Sequence, residues 1–406
     1  MENRIIPFVI NSNICTTESD VSSYAVMMDT IAGNSGNSYI TWSLLKEIGC
    51  PIESIKGREI KSLYTYDFQN ADRDIDIINN ECTNVILVLQ DQIRISESYG
   101  LRLPFKELKC FISRLRKPIL IAGLGANSFT GFDPDFYKKL DKELIEFLHF
   151  LSHHCVTIGL RGYFTQEVLH KLSIDNTCVI GCPSYYETGR DRVIVKPDYT
   201  KSLRIGTSIG VGLYGIGPVY LQDKLEENII KALCFDGELS LRYKQLKILK
   251  ESNYRFFTSI TNWKEDIKNN IDYYVGTRVH GSMVAMNSGV PTVVMNGDSR
   301  SKEMCEYMNI PHHPELFGCK DVEKILSVCE YDQMNSQYNQ KFDIYVDFLA
   351  KNGLKYNPIE HDFIDVDVNR NKREVSKEVM SKAYLNYLEG LPKEIVYSLY
   401  RYVFNK

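Results

Sequence analysis

No stretch of the chain approaches the ~20 consecutive apolar residues that a membrane-spanning helix needs, so nothing reads as a transmembrane segment. The opening Met1-Glu2-Asn3-Arg4 leads into a short apolar run without the pattern of a secretory leader. The expected location is the cytoplasm, with the inner face of a membrane as the alternative. The 11 cysteines include no Cys-x-x-Cys pair; Cys178 and Cys182 come nearest, and neither has histidines at zinc spacing. No structural zinc is expected, no carboxylate–histidine cluster calls for a metal, and most thiols should be buried, reduced and inert. No Gly-x-x-x-x-Gly-Lys-Ser/Thr run is present, which excludes a P-loop. An excess of charge of one sign is also missing: 48 basic residues face 52 acidic ones, for a net charge of -4. That balance gives no support for a nucleic-acid surface, and any preference for anions must be local.

What is present is ordinary globular composition, 44% hydrophobic and 25% charged, over 406 residues. Single domains commonly run ~100 to 200 residues, so two are expected. Short apolar runs alternate with amphipathic segments, the pattern of an α/β protein built on parallel sheets. Strands are expected at 5–10, 85–89, 119–122, 155–159 and 177–180, with helices at 39–48, 136–154 and 164–172. Residues 185–202 are charged and irregular and read as a linker. A second series follows, with strands at 203–208, 255–260, 273–275 and 291–296, helices at 221–234 and 239–249, and a helix carrying Glu303, Met304 and Met308. The expected domains are thus 1–190 and 203–350, followed by a helical segment at 351–406. In that last segment Met380, Tyr384, Leu388, Val396, Leu399 and Val403 form an amphipathic stripe. Packing back on the first domain is its expected use, and peripheral contact with a membrane surface is the alternative.

Three strand ends carry chemistry. At Gln90-Asp91 a carboxylate leaves an apolar strand, where it can serve a ligand or cap the next turn. At Leu160-Arg161-Gly162 an arginine stands between a strand and a helix, fit for an anion or for a salt bridge between domains. The third is Tyr273-Tyr274-Val275-Gly276-Thr277-Arg278-Val279-His280-Gly281-Ser282. Arg278 offers a fixed fork for phosphate or carboxylate, and His280 can give or take a proton near neutral pH. A small-residue helix expected from Ser282 would turn unpaired N–H groups to the same place. Ligands of open parallel sheets collect at strand carboxyl ends, which raises this motif above surface decoration. The spacing Gly210-x-Gly212-x-x-Gly215 fits a dinucleotide loop by letter, but Gly217-Pro218 intervenes before any helix. A nicotinamide site is not expected.

The stretch from Val275-Gly276-Thr277-Arg278-Val279-His280-Gly281 through Asn287-Ser288-Gly289-Val290-Pro291 to Asp298-Ser299-Arg300-Ser301-Lys302-Glu303 resembles the polysaccharide pyruvyl transferase family. So do Ile158-Gly159-Leu160-Arg161-Gly162 with Gly181-Cys182-Pro183-Ser184, and Leu89-Gln90-Asp91. The loop Asn34 to Asn37 is similar to the family's Asn-x-Gly-Asp start, with Asn37 where the acid is usual, and the glycine run before Leu-Gln-Asp is replaced by residues 85–88. The resemblance implies two Rossmann-like domains in a GT-B-like arrangement with a cleft between them, the first on the acceptor side and the second on the donor side. It implies transfer of a pyruvyl group from phosphoenolpyruvate to a hexose of a bacterial surface polysaccharide, such as a capsule or exopolysaccharide, or of its precursor, free or lipid-linked. The product is a cyclic ketal, and no further cofactor is required. Catalytic roles map onto His280, Arg278, Arg161 and Asp91. Donor contacts map onto Arg161 and the run Thr277, Arg278, Val279, His280, Gly281 and Ser282. Asn34, Asn37, Asn127, Asp298, Ser299, Arg300 and Glu303 are further candidates for substrate contact. The alternatives are a GT-B glycosyltransferase that uses a nucleotide sugar and a non-catalytic glycan-binding protein. Sequence is silent on oligomeric state.

Overall fold

The computed structural model describes residues 4–359 except 12–13, 16–19, 21–25, 27–29, 32, 58–61, 65, 96–102, 129–130, 199–201, 209–212, 214–215 and 223–252. The expected helices at 221–234 and 239–249, the glycines 210, 212 and 215, and the amphipathic stripe near the C-terminus lie wholly or almost wholly outside the described residues.

The expectation of an α/β fold with parallel sheets holds. In the N-terminal half, β1 (Pro7–Ile10), β2 (Asn84–Leu87) and β4 (Ile119–Leu120) pair in that order, all parallel. Their residues alternate between two cores, as a strand's period of two requires. Phe8, Ile10, Val85 and Leu87 face one cluster, while Val9, Ile86 and Val88 face another. Burial on both faces explains why these strands read as continuous apolar runs. The backbone beyond β4 bonds to β6 (Ile158–Leu160), with Gly159 N–H donating to Ile121 O at 2.9 Å, and β6 pairs with β7 (Thr177–Val179). A short parallel pair, β3 (Ile93–Arg94) with β5 (Ala126–Asn127), lies beside them.

The C-terminal half holds a five-stranded parallel sheet in the order β10 (Asn253–Phe256), β9 (Pro218–Leu221), β8 (Ile205–Ser208), β11 (Tyr273–Gly276), β12 (Thr292–Val294). Chain order reverses between β8 and β11, and such a switch point opens a crevice at the strand carboxyl ends. Strand β9 begins at Pro218, within the Gly217-Pro218 pair that reads as a loop in sequence. Proline is tolerated at the first residue of a strand, and that is its position here.

Two other expectations are corrected. The helix expected at 136–154 is broken: a 3₁₀ turn, Phe136–Lys139, precedes a helix at Lys142–His154. The start of the presumed linker is core, because Tyr185 and Tyr186 are fully buried and the Tyr186 ring stacks on Tyr345 at 4.7 Å. Glu187 follows, also buried, and accepts from Lys46 at 2.7 Å and Lys264 at 2.6 Å. Lys46 belongs to helix α1 (Ser35–Glu47) and Lys264 to a helix at Ile260–Asn270, so one carboxylate ties both halves of the chain together. No helix among the described residues is long and apolar enough to cross a membrane.

Candidate active site

Strand ends of both sheets open onto one cleft with a cavity volume of about 110 Å³. Gln90 and Asp91 follow β2, and Arg161 follows β6 directly. From the second sheet come Gln222 after β9, Thr277 and Arg278 after β11, and Asn296 after β12. Helix α1 adds Asn34 and Asn37 from its amino end, and helix α8 (Ser299–Met308) adds Arg300, Ser301 and Met304. Residues far apart in sequence thus meet because parallel strands deliver their loops to the same edge.

The Arg-x-His motif sits at the switch point. Ser208, last residue of β8, accepts from the Thr277 N–H at 2.7 Å, and its hydroxyl lies 2.9 Å from Thr277 Oγ1, which fixes the turn. Helix α7 (Val279–Asn287) begins three residues earlier than expected, with Arg278 as its N-cap residue. His280 is therefore in the first helical turn, while Gly281 and Ser282 are buried inside the helix and do not line the cleft. Val279 and Thr277 do line it. The imidazole is packed closely: Nε2 lies 3.7 Å from Cys182 Sγ, and a Cβ added to Gly36 would sit 2.9 Å from His280 Cβ and Nδ1. Only glycine lets the amino end of α1 approach His280 this closely. Asn34 caps that helix by accepting from the Gly36 N–H at 2.8 Å.

Arg161 is 4% exposed and lines the cleft, yet its Nε has no hydrogen-bond partner and no carboxylate pairs with it among the described residues. The salt bridge between domains that sequence offered as an alternative is not formed there. Gly125 packs against its stem, where an added Cβ would lie 2.8 Å from Arg161 Cδ. Asp91 caps no turn among the described residues. It accepts from Arg300 Nη1 at 3.0 Å and from Asn127 Nδ2 at 3.2 Å, so Asn127 stands behind the cleft as a support. Arg300 also donates to Asp298 at 2.7 Å, and Asp298 caps α8 through the Ser301 N–H at 2.8 Å.

Two further candidates, Ser299 and Glu303, tie α8 to the N-terminal half instead of lining the cleft. Ser299 Oγ accepts from the Ser128 N–H at 2.9 Å. Glu303 accepts from the Thr165 N–H at 3.0 Å and the Thr165 hydroxyl at 2.8 Å, which caps the helix Tyr163–Lys171 that follows Arg161.

Electrostatics follow from this crowding of guanidiniums. Burial, then Arg161 and Arg300, push the His280 imidazole down to about 3, against the opposing pull of Asp91. Burial pushes the Asp91 carboxyl up, but Arg300, Arg161 and Arg94 outweigh it and hold the group below the usual carboxylate range. Burial carries Glu303 up to about 8 despite the hydrogen bonds from Thr165. At neutral pH the cleft therefore presents neutral imidazole, ionised Asp91 and permanent cations.

Sequence reasoning did not select Gln222, Asn296, Ser301 or Met304, and it passed over Gln90 beside Asp91. The usable signal was position, since Gln90, Gln222 and Asn296 each follow a strand. Gln90 also takes a left-handed φ of 52°, an uncommon conformation for a residue other than glycine.

Facing strand ends of an α/β scaffold, with the amino end of α8, thus hold the guanidiniums of Arg161, Arg278 and Arg300 around one polar cleft. The chain belongs to the polysaccharide pyruvyl transferase family, whose profile matches residues 37–299. That span contains Asn37, Asp91, Arg161, Arg278 and His280, whereas Asn34 and Arg300 fall outside it. No curated protein matches the chain.

Proposed function

We propose that this cleft transfers the pyruvyl group of phosphoenolpyruvate to two hydroxyls of one hexose in a bacterial surface polysaccharide or its precursor, forming a cyclic ketal. The observation that supports this reading best is Arg161: a buried guanidinium whose Nε lacks a partner among the described residues, lining the cleft that Arg278 and His280 also line. A buried cation is costly unless an opposite charge meets it. Phosphoenolpyruvate carries a carboxylate and a phosphate on three carbons, so one arginine from each half of the chain can hold one end. In this reading the two halves are the two domains of a GT-B-like arrangement, and the doubly wound order of the second sheet is consistent with the donor side.

The chemistry follows from the charges. His280 is neutral in the protein alone, and a bound polyanion offsets Arg161 and Arg300 and restores its proton. The imidazolium then protonates the methylene carbon, which leaves C2 electrophilic, and the first sugar hydroxyl adds there. That hydroxyl's proton returns to the imidazole, phosphate departs with the C2–O bond pair, and the second hydroxyl closes the ring. Its proton leaves on phosphate, so one donor and one diol give one ketal and one inorganic phosphate. A positioned acid–base group is commonly worth ~10²- to 10⁴-fold. Asp91, held ionised by Arg300, orients that arginine instead of taking a proton.

The test is incubation with phosphoenolpyruvate plus a hexoside, and separately with nucleotide sugars, following phosphate and free nucleotide. Phosphate release that depends on the hexoside supports pyruvyl transfer. Release of nucleotide with phosphoenolpyruvate untouched refutes it.

A further inference from the structure

Among the described residues the cleft is lined by three guanidiniums, Arg161, Arg278 and Arg300, against one carboxylate, Asp91. A donor bearing a carboxylate and a phosphate brings about three negative charges, since a phosphate monoester alone carries ~1.5 to 2 at neutral pH. Once it is bound, the described lining holds no cation in excess for a second anion. Nor does the described lining hold a spare acid for a cationic sugar, because Asp91 is paired with Arg300. The remaining polar lining is mostly carboxamide: Asn34, Asn37, Gln90, Gln222 and Asn296. Each carboxamide offers a donor and an acceptor without net charge, the combination that reads a hydroxyl.

Two of these amides already serve the protein. Asn34 caps α1, and Asn296 donates to Asp298 at 2.8 Å and accepts from its N–H at 3.2 Å. Gln90 differs, being 8% exposed with a buried Nε2 that has no partner among the described residues. Such a donor is expensive to bury unsatisfied. Asn37 lines the same cleft, half-buried in the first turn of α1.

Building on the pyruvyl-transfer reading, we infer that Asn37 and Gln90 form the acceptor subsite and that the acceptor is an uncharged sugar diol, not a uronic acid or a free amino sugar. Both residues lie in the N-terminal half, beside Asp91 and Arg161 in the same lining, so a sugar held there meets the donor at the mouth of the first sheet.

The experiment uses the full chain, phosphoenolpyruvate and three matched methyl glycosides: a neutral hexoside, its uronic acid and its 2-amino-2-deoxy counterpart. Phosphate release is expected to favour the neutral hexoside in kcat/KM by at least about tenfold, the effect of roughly 1.4 kcal/mol of charge repulsion or lost pairing. Asn37→Ala and Gln90→Met should each raise the acceptor KM roughly three- to tenfold, the loss of one hydrogen bond, while the donor Kd from calorimetry stays unchanged. Unchanged donor binding also reports that each variant is folded. Equal or better turnover of the uronide overturns the inference, as do variants that move donor Kd and leave acceptor KM alone. A wild-type protein that binds phosphoenolpyruvate and prefers a charged sugar refutes only the acceptor assignment. One that binds no phosphoenolpyruvate removes the underlying reading and the inference with it.

Discussion

Donor binding should be coupled to proton uptake at His280. In the protein alone the imidazole sits near 3, depressed by burial, Arg161 and Arg300, while Asp91 is the one carboxylate pulling the other way. An ordinary histidine titrates near ~6.5, and each pKa unit corresponds to ~1.4 kcal/mol, so the cleft disfavours imidazolium by on the order of 5 kcal/mol. Placing a polyanion between the arginines removes much of that repulsion. If the imidazole returns only to its ordinary value, about a quarter of a proton is taken up per donor bound at about pH 7, and more if the phosphate contacts the ring. Calorimetry in buffers of contrasting ionisation enthalpy measures this number. Because the donor's own phosphate also titrates near ~6, the informative quantity is the difference between wild type and His280→Asn. A positive difference supports the coupling. Identical uptake by the two proteins would show that His280 does not sense the donor, and the proton-transfer scheme would lose its acid.

Other perturbations follow from the same geometry. Arg161→Met should weaken donor binding by at least ~30-fold, the loss of one buried charge-pair partner, with little loss of thermal stability because that arginine pairs with no carboxylate among the described residues. Calorimetry and thermal melts read the two quantities, and unaltered donor affinity would place Arg161 outside the site. Gly36→Ala drives a Cβ to 2.9 Å from the His280 ring and should lower turnover more than it raises the donor Kd, as steady-state kinetics would show. Glu187→Ala removes the carboxylate that Lys46 and Lys264 share and should cost ~3 to 5 kcal/mol in denaturant unfolding; a cost below about 1 kcal/mol would deny the tie its role. Glu303 is raised from an ordinary carboxylate value to about 8, so its contribution to stability is fully present below the unfolded pKa and is lost as pH rises through the folded one. Unfolding free energies between about pH 4.5 and 8 should therefore decline more steeply in wild type than in Glu303→Gln; parallel profiles would contradict the assignment.

Much of the cleft was legible because an apolar run that stops at a polar residue marks a strand end. The run 85–89 delivers Asp91, 155–159 delivers Arg161, and 273–275 delivers Thr277 and Arg278. Local period does not encode which distant elements meet. The Arg300–Asp91 and Glu303–Thr165 contacts join residues 209 and 138 positions apart, and nothing in either segment alone announces the other. Strand β9 was hidden by Gly217-Pro218, which read as a breaker, and Gln222 was lost with it. The amino end of α7 was displaced because Val279 is a weak helix former, and small residues from Ser282 onward gave the clearer signal. Glu303 entered as a candidate only through the family-like stretch Asp298 to Glu303, and no local pattern announces that its carboxylate accepts from the Thr165 N–H and hydroxyl instead of lining the cleft.

The most direct test of pyruvyl transfer is a single reaction of the protein with phosphoenolpyruvate and a neutral hexoside, followed by phosphorus and proton magnetic resonance together. The account predicts that inorganic phosphate and a new ketal methyl signal grow in equal amounts, and that neither forms with His280→Ala. Phosphate appearing without the ketal, or both appearing undiminished in the variant, would contradict it.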